Sequence, residues 1–239
     1  MTRRTILSAL LALAIAALFA RLGFWQLDRL DERRARNRVT ITRLAEPAGD
    51  IESVLSDTGD LGVRRVVVRG TFDYAHELVL TSRTHNGSPG VNVITPLRIA
   101  GRDTVVLVNR GWVYSPDGIS AALDQWREPE ATTIDGYLVE LAEGGPAIFR
   151  TPSNPRAVRR LLRDSLAAAL PFPIARYYVV ATSRAAVHGD SAPVRLETPA
   201  IDEGPHKSYA LQWFSFALIA VAGAVLVIVQ AVRGNAKRS

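Results

Sequence analysis

Segment 210–232 carries no charge over twenty-three residues and is drawn mostly from Ala, Val, Leu, Ile and Phe. At about 1.5 Å of rise per residue it reaches about 34 Å as a helix, against a bilayer hydrocarbon core of about 30 Å. A run this long and apolar belongs in lipid, so the chain reads as a membrane protein. Trp213 and Tyr209, aromatic rings with a polar edge, mark the headgroup-level end of the helix, and His206 stands at the same boundary.

A second apolar run, 6–20, follows Thr2, Arg3 and Arg4. This is also the layout of a secretory signal, but no small-x-small cleavage site follows the run; Ala14 and Ala16 lie inside it. Apolar character resumes after Arg21 as Leu22, Gly23, Phe24, Trp25 and Leu27, so 6–27 is long enough to cross if Arg21 snorkels to the interface. We therefore read an N-terminal transmembrane helix in 1–27, an extracytoplasmic domain in 28–208, and a C-terminal transmembrane helix with a short cytoplasmic tail in 209–239. Arg3 and Arg4 at one end, with Arg233, Lys237 and Arg238 at the other, put both termini inside under the positive-inside rule. Arg29, Arg33, Arg34, Arg36 and Arg38 run against that rule, although a long domain crosses regardless of such charges.

With no cysteine the chain has no disulfide framework, thiolate metal site, redox CxxC or CxxCH haem attachment. Its 29 basic residues exceed its 23 acidic ones, and only Lys207 and Lys237 are lysines. The arginines are scattered along a lipid-anchored chain, so no nucleic-acid partner is expected.

Between the spans, β-branched runs recur at 65–72, 77–82, 91–99, 104–109, 132–139 and 177–181. Turn signals such as Asn86-Gly87, Ser88-Pro89-Gly90 and Pro116-Asp117-Gly118 separate them. Spacing this short predicts antiparallel pairing, since parallel strands need long crossovers. One helix is predicted between Asn154 and Pro171, with Asn154 as cap and Pro155 in its first position. A second, capped by Asp50, is predicted over 51–56. The fold class is thus α+β: an antiparallel β-rich domain with one or two helices, flanked by two transmembrane helices.

A search for catalytic motifs finds no phosphate loop, HExxH, GxSxG or paired carboxylates. Ser115, Ser120 and the loop histidines His76, His85 and His188 supply no nucleophile and base, so the chain is not expected to be an enzyme. His206, Tyr209, Ala210 and Trp213 fall on one face if the helix starts before Tyr209. Such an imidazole is either an axial ligand to haem iron or an interfacial residue hydrogen-bonded at a helix start. Arg83, Asn109, Arg110 and Trp112 form the other notable group. Arg110 there is either a buried arginine with a carboxylate partner or a fork-shaped donor offered to a ligand.

Several stretches together resemble the surfeit locus protein 1 family. They are Leu22-Gly23-Phe24-Trp25-Gln26-Leu27-Asp28-Arg29; Val66-Val67-Val68-Arg69-Gly70-Thr71-Phe72-Asp73; Thr95-Pro96-Leu97; Val106-Leu107-Val108-Asn109-Arg110-Gly111-Trp112-Val113; and His206-Lys207-Ser208-Tyr209-Ala210-Leu211-Gln212-Trp213-Phe214. The resemblance implies a non-enzymatic assembly factor of the bacterial inner membrane with a periplasmic domain. It would help haem a reach subunit I of cytochrome c oxidase, with haem a as transient ligand and haem a synthase as a further partner. By the same resemblance His206 is the iron ligand, with Tyr209, Trp213 and Arg110 beside the cofactor. The chain departs from the family where it reads Ala157-Val158-Arg159-Arg160 in place of a tryptophan-bearing stretch, and Gly204-Pro205 in place of polar residues before the histidine. The reading set against this one is a general envelope adaptor or receptor unconnected with oxidases. Protease added to intact spheroplasts should digest 28–208 while both termini stay protected; protection of the domain would reverse the assigned orientation.

Overall fold

The computed structural model describes residues 3–55, 62–144, 154–182, 192–199 and 201–236. It comprises two compact units, one of residues 1–39 with 201–239 and the other of 40–200.

The first unit is a helical hairpin built from α1 (Arg3–Ala45) and α4 (His206–Ala236). Both are long and apolar enough to cross a membrane, which fits a two-span membrane protein. The buried residues of α1 are Ala9, Ala16, Gly23 and Leu30, spaced by sevens, and Ala210 and Ala224 are buried in α4. A heptad keeps one seam facing a partner helix. In lipid, where apolar side chains gain little by leaving the solvent, small residues on that seam let two backbones approach and pack. A Cβ added at Gly23 would lie 2.6 Å from the Phe214 ring, so glycine sets the spacing there. Phe24 meets Phe214 edge-on at 5.2 Å, and Phe19 stacks on Trp213 at 5.6 Å. Numbering falls along one helix as it rises along the other, so the pair is antiparallel.

The second unit is a mixed α+β domain around one eight-stranded sheet. Its elements are β1 (Gly49–Asp50), α2 (Ile51–Leu55), β2 (Arg65–Phe72), β3 (Leu78–His85), β4 (Ser88–Arg98), β5 (Val106–Tyr114), β6 (Ala131–Glu140), β7 (Ala157–Val158), α3 (Arg163–Ala169) and β8 (Tyr177–Ala181). The sheet order is β1-β2-β6-β8-β5-β4-β3-β7, and a further β2–β4 pairing closes β2, β6, β8, β5 and β4 into a small barrel. Alternate residues fill its interior: Val66, Val68 and Phe72 from β2, Ile134 and Leu138 from β6, and Tyr177, Val179 and Ala181 from β8, among others. Each fully buried Val or Leu contributes about 1.5–3 kcal/mol. That outweighs the about 0.5–1 kcal/mol by which Gly70 or Gly136 weakens its strand.

Most strands lie near their expected places, but Ser88-Pro89-Gly90 is the start of β4 and not a turn, since it pairs with 83–85 of β3, and β5 runs on past 109 to Tyr114. Asn86 and Gly87 make the β3–β4 turn with φ of 50° and 78°, as a two-residue hairpin requires. Pairing is not wholly antiparallel, however. β1–β2, β3–β7 and β5–β8 are parallel, because long stretches of chain separate β3 from β7 and β5 from β8, and α2 with the following segment intervenes between β1 and β2. The helix predicted between Asn154 and Pro171 is also shorter. Ala157 and Val158 pair with Val79 and Leu80 of β3, so α3 begins only at Arg163, and its first flanking residue, Leu162, makes no side-chain cap. Asn154 Oδ1 accepts from the Arg156 N–H at 3.0 Å, in a turn rather than a helix start. Tertiary pairing overrode the helical periodicity here. Asp50 behaves as expected, accepting from the Glu52 N–H at 2.9 Å ahead of α2.

A Cβ at Gly136 would meet the Val180 carbonyl oxygen at 2.3 Å, a backbone atom that cannot swing aside. Gly136→Ala should lower stability by about 1–3 kcal/mol, read as a reduced urea midpoint of the full chain in detergent.

Candidate functional site

The start of α4 is assembled from polar contacts inside the hairpin. Asp202 and Glu203 precede it in a turn where Gly204 has a φ of 67° and its N–H bonds Asp202 Oδ1 at 3.1 Å. Arg34 grips Glu203 through Nε and Nη2 at 2.7 and 3.0 Å, and Asn37 Nδ2 donates to the Asp202 carbonyl at 2.7 Å. The hydrogen bond from Arg34 holds the Glu203 carboxyl below its ordinary range. Arg33 also reaches Asp202, at 3.4 Å. Two of the arginines that contradict the orientation rule are therefore neutralised within the hairpin.

Immediately after this turn, His206 opens the helix and places Nδ1 2.9 Å from Gln26 Oε1. An amide oxygen only accepts, so Nδ1 donates here in the tautomer that carries its proton there, and Nε2 is then the nitrogen with the free lone pair. A donated Nδ1–H is the arrangement that orients ligating histidines toward a metal. His206 and Trp213 are half-buried and Ala210 is buried, so these three share the seam. Tyr209 is 46% exposed and turns away from it. The Trp213 ring packs on Phe19 and Phe216. Among the described residues no cluster of three or more His, Cys, Asp or Glu could hold a metal ion.

Arg110 lies in the other unit, fully buried. Register slips between Val93↔Gly111 and Ile94↔Asn109, making Arg110 the extra residue of a β-bulge, which re-aims its side chain. Asn109 Oδ1 accepts from the Gly111 N–H at 3.1 Å, and Gly111 takes a φ of 131°. The guanidinium bonds Glu77 and Glu128, each at 2.8 Å, and donates to the Trp126 carbonyl. It sits 5.2 Å from the Phe72 and Tyr74 ring centroids. Arg195 also pairs with Glu128, so two cations and two carboxylates balance. Of the two roles open to Arg110, the structure has it in the buried ion pair, with its donors turned toward carboxylates of the domain interior.

The rest of that group is structural as well: Trp112 Nε1 donates to the Arg83 carbonyl at 3.4 Å, and Arg83 Nη2 to the Arg159 carbonyl at 3.3 Å. His76 bonds Asp73 at 3.0 Å and rests on Phe172, while His85 lies against Trp112; both are partly exposed with a ring neighbour, and His188 lies outside the described residues. Sequence reasoning missed Gln26, Glu77, Glu128 and Arg195. Gln26 alone gave a signal, as an uncharged polar residue in an apolar run seven places from Phe19.

Two span-length helices at the ends of a chain whose middle folds as a small barrel-centred domain fit the class of two-span membrane proteins with one large inserted domain. The SURF1 family pattern matches residues 13–218, and the chain belongs to that family, known generally as cytochrome c oxidase assembly factors. It is 26% identical over 210 residues to a SURF1-like protein of Drosophila melanogaster, covering 81% of this chain and 68% of that one. A SURF1-like protein of Rickettsia felis is 24% identical over 200 residues, covering 82% and 86%. The match to a SURF1-like protein of Monosiga brevicollis, 30% identical, covers 38% of this chain and only 39% of that relative's length.

Removing the cation from a buried pair strands charge, at a cost of about 3–5 kcal/mol; Arg110→Met should lower the unfolding free energy by that amount, read as a reduced urea midpoint at unchanged slope. Burial raises the Glu77 carboxyl above its ordinary value near 4.5, outweighing its bonds from Thr95 and Arg110. The folded domain therefore holds this proton more tightly than the unfolded chain. Its contribution is complete below about 4.5 and is lost as pH rises through the folded value. The urea midpoint of wild type relative to Glu77→Gln should accordingly fall as pH rises above about 4.5.

Proposed function

We propose that this protein is a non-enzymatic, membrane-anchored assembly factor that helps haem a enter subunit I of cytochrome c oxidase. It works in the bacterial inner membrane with both termini cytoplasmic and the β domain periplasmic. The observation that carries the reading is the Gln26–His206 bond at the start of the second span, in a chain of the SURF1 family. Haem a is cargo in this scheme, and its iron would accept the Nε2 lone pair of His206 as one axial ligand. Gln26 fixes the tautomer, and the Arg33, Arg34 and Asn37 contacts hold the turn that presents the ring. Trp213 and Phe19 supply an apolar wall beside it. Arg110 contributes to domain stability and not to the propionates, since its donors already serve Glu77 and Glu128.

Holding an axial ligand in one tautomer is worth about 10–100-fold in affinity. Gln26→Leu should therefore weaken a Soret shift with haem a by about that factor in purified protein, and His206→Ala should abolish it. Membranes from a deletion strain should lose the haem a band in a reduced-minus-oxidised spectrum. A normal band there would refute the oxidase role, whereas a lost band with no Soret shift in wild type would leave a chaperone that acts on the polypeptide alone.

A further inference from the structure

Arg21, Trp25 and Asp28 lie one and two turns apart on a single face of α1, at positions i, i+4 and i+7. Ala17, Ala20, Leu22 and Phe24 line the same shallow groove with them, a space of about 730 Å³. Among the described residues neither Arg21 nor Asp28 makes a hydrogen bond or ion pair. Arg29, the next charge along, already pairs with Glu32 at 2.7 Å and lies over the Trp25 ring. The order of charge is the informative feature. The apolar stretch lies on the N-terminal side of Arg21, so the cation is deeper in the bilayer and the carboxylate nearer water whichever way the helix points. A zwitterionic phospholipid is built in that order, with phosphate next to the glycerol and ammonium beyond it.

We propose that this face binds one phospholipid with a primary-ammonium headgroup, phosphatidylethanolamine in chemistry. Arg21 holds the phosphate through charge-assisted hydrogen bonds. Asp28 accepts from the ammonium, and Trp25 lies between them with its ring against the cation. The acyl chain runs down over Ala20 and Ala17, where short side chains leave room. A quaternary ammonium cannot donate to Asp28, and an anionic headgroup without an amine would be repelled by it, so the stripe selects within lipid classes. The inference rests on the membrane-spanning reading of α1 and is independent of any role in oxidase assembly.

The test is native mass spectrometry of the full-length, delipidated protein offered phosphatidylethanolamine, phosphatidylcholine or phosphatidylglycerol with identical acyl chains. A hydrogen bond between charged groups is worth about tenfold, so wild type should retain the ethanolamine lipid about tenfold over the choline lipid; one headgroup-proximal cation is worth about fivefold. Arg21→Gln should lose about fivefold for all three, Arg21→Lys should recover that loss, and Asp28→Asn should remove the preference for ethanolamine over glycerol headgroups. Equal retention of the ethanolamine and choline lipids by wild type, or undiminished retention by Arg21→Gln, overturns the site. So does a photo-crosslinker at position 25 that captures a protein in place of lipid. Release of the chain from membranes by alkaline carbonate would overturn the spanning reading itself, and the site with it; failure of headgroup selection in a chain that resists carbonate overturns the site alone.

Discussion

Close approach of two helix backbones along a seam of alanine and glycine is the constraint on which the hairpin depends. Ala9, Ala16, Gly23 and Leu30 recur at heptad spacing, and Gly23 leaves the space that the Phe214 ring needs. Because the seam is narrow and its small side chains donate nothing, the polar pair it contains is fixed in register. Gln26 has His206 as its hydrogen-bond partner. A bulky residue at Gly23 would separate the helices near this contact, so packing on the seam and the orientation of the imidazole are parts of one arrangement.

The β domain solves a different problem. A five-strand ring has a small interior, filled by Val, Ile, Leu and aromatic side chains, and a cation enters its buried surroundings only with full compensation. The bulge at Arg110 provides the direction, and Glu77 and Glu128 provide the charge. Removing any one member strands the rest, since desolvated charge is costly without its partner. The pair is thus evidence of a specific arrangement more than of high stability.

Much of this was legible in the residues. β-branched runs and glycine turns located most of the strands, with β2 and β8 at the expected bounds, and the apolar runs located both long helices. The heptad seam went unread because Ala and Gly count toward apolar character without marking a face; only contact with a second helix makes their spacing visible. The helix expected from Asn154 failed for the opposite reason. Its periodicity was real, but the edge of β3 offered Ala157 and Val158 backbone partners that no local pattern announces. Likewise the partners of Arg110 lie 33 and 18 positions away, and no local pattern links either carboxylate to it. Arg33 and Arg34 looked like a breach of charge topology until Asp202 and Glu203 were found beside them.

The two residues of the polar pair are 180 positions apart. The amide of Gln26 and the notch at Gly23 both receive their neighbours from α4, so this part of α1 is completed only by residues far along the sequence. A polypeptide cut before His206 lacks the imidazole contact.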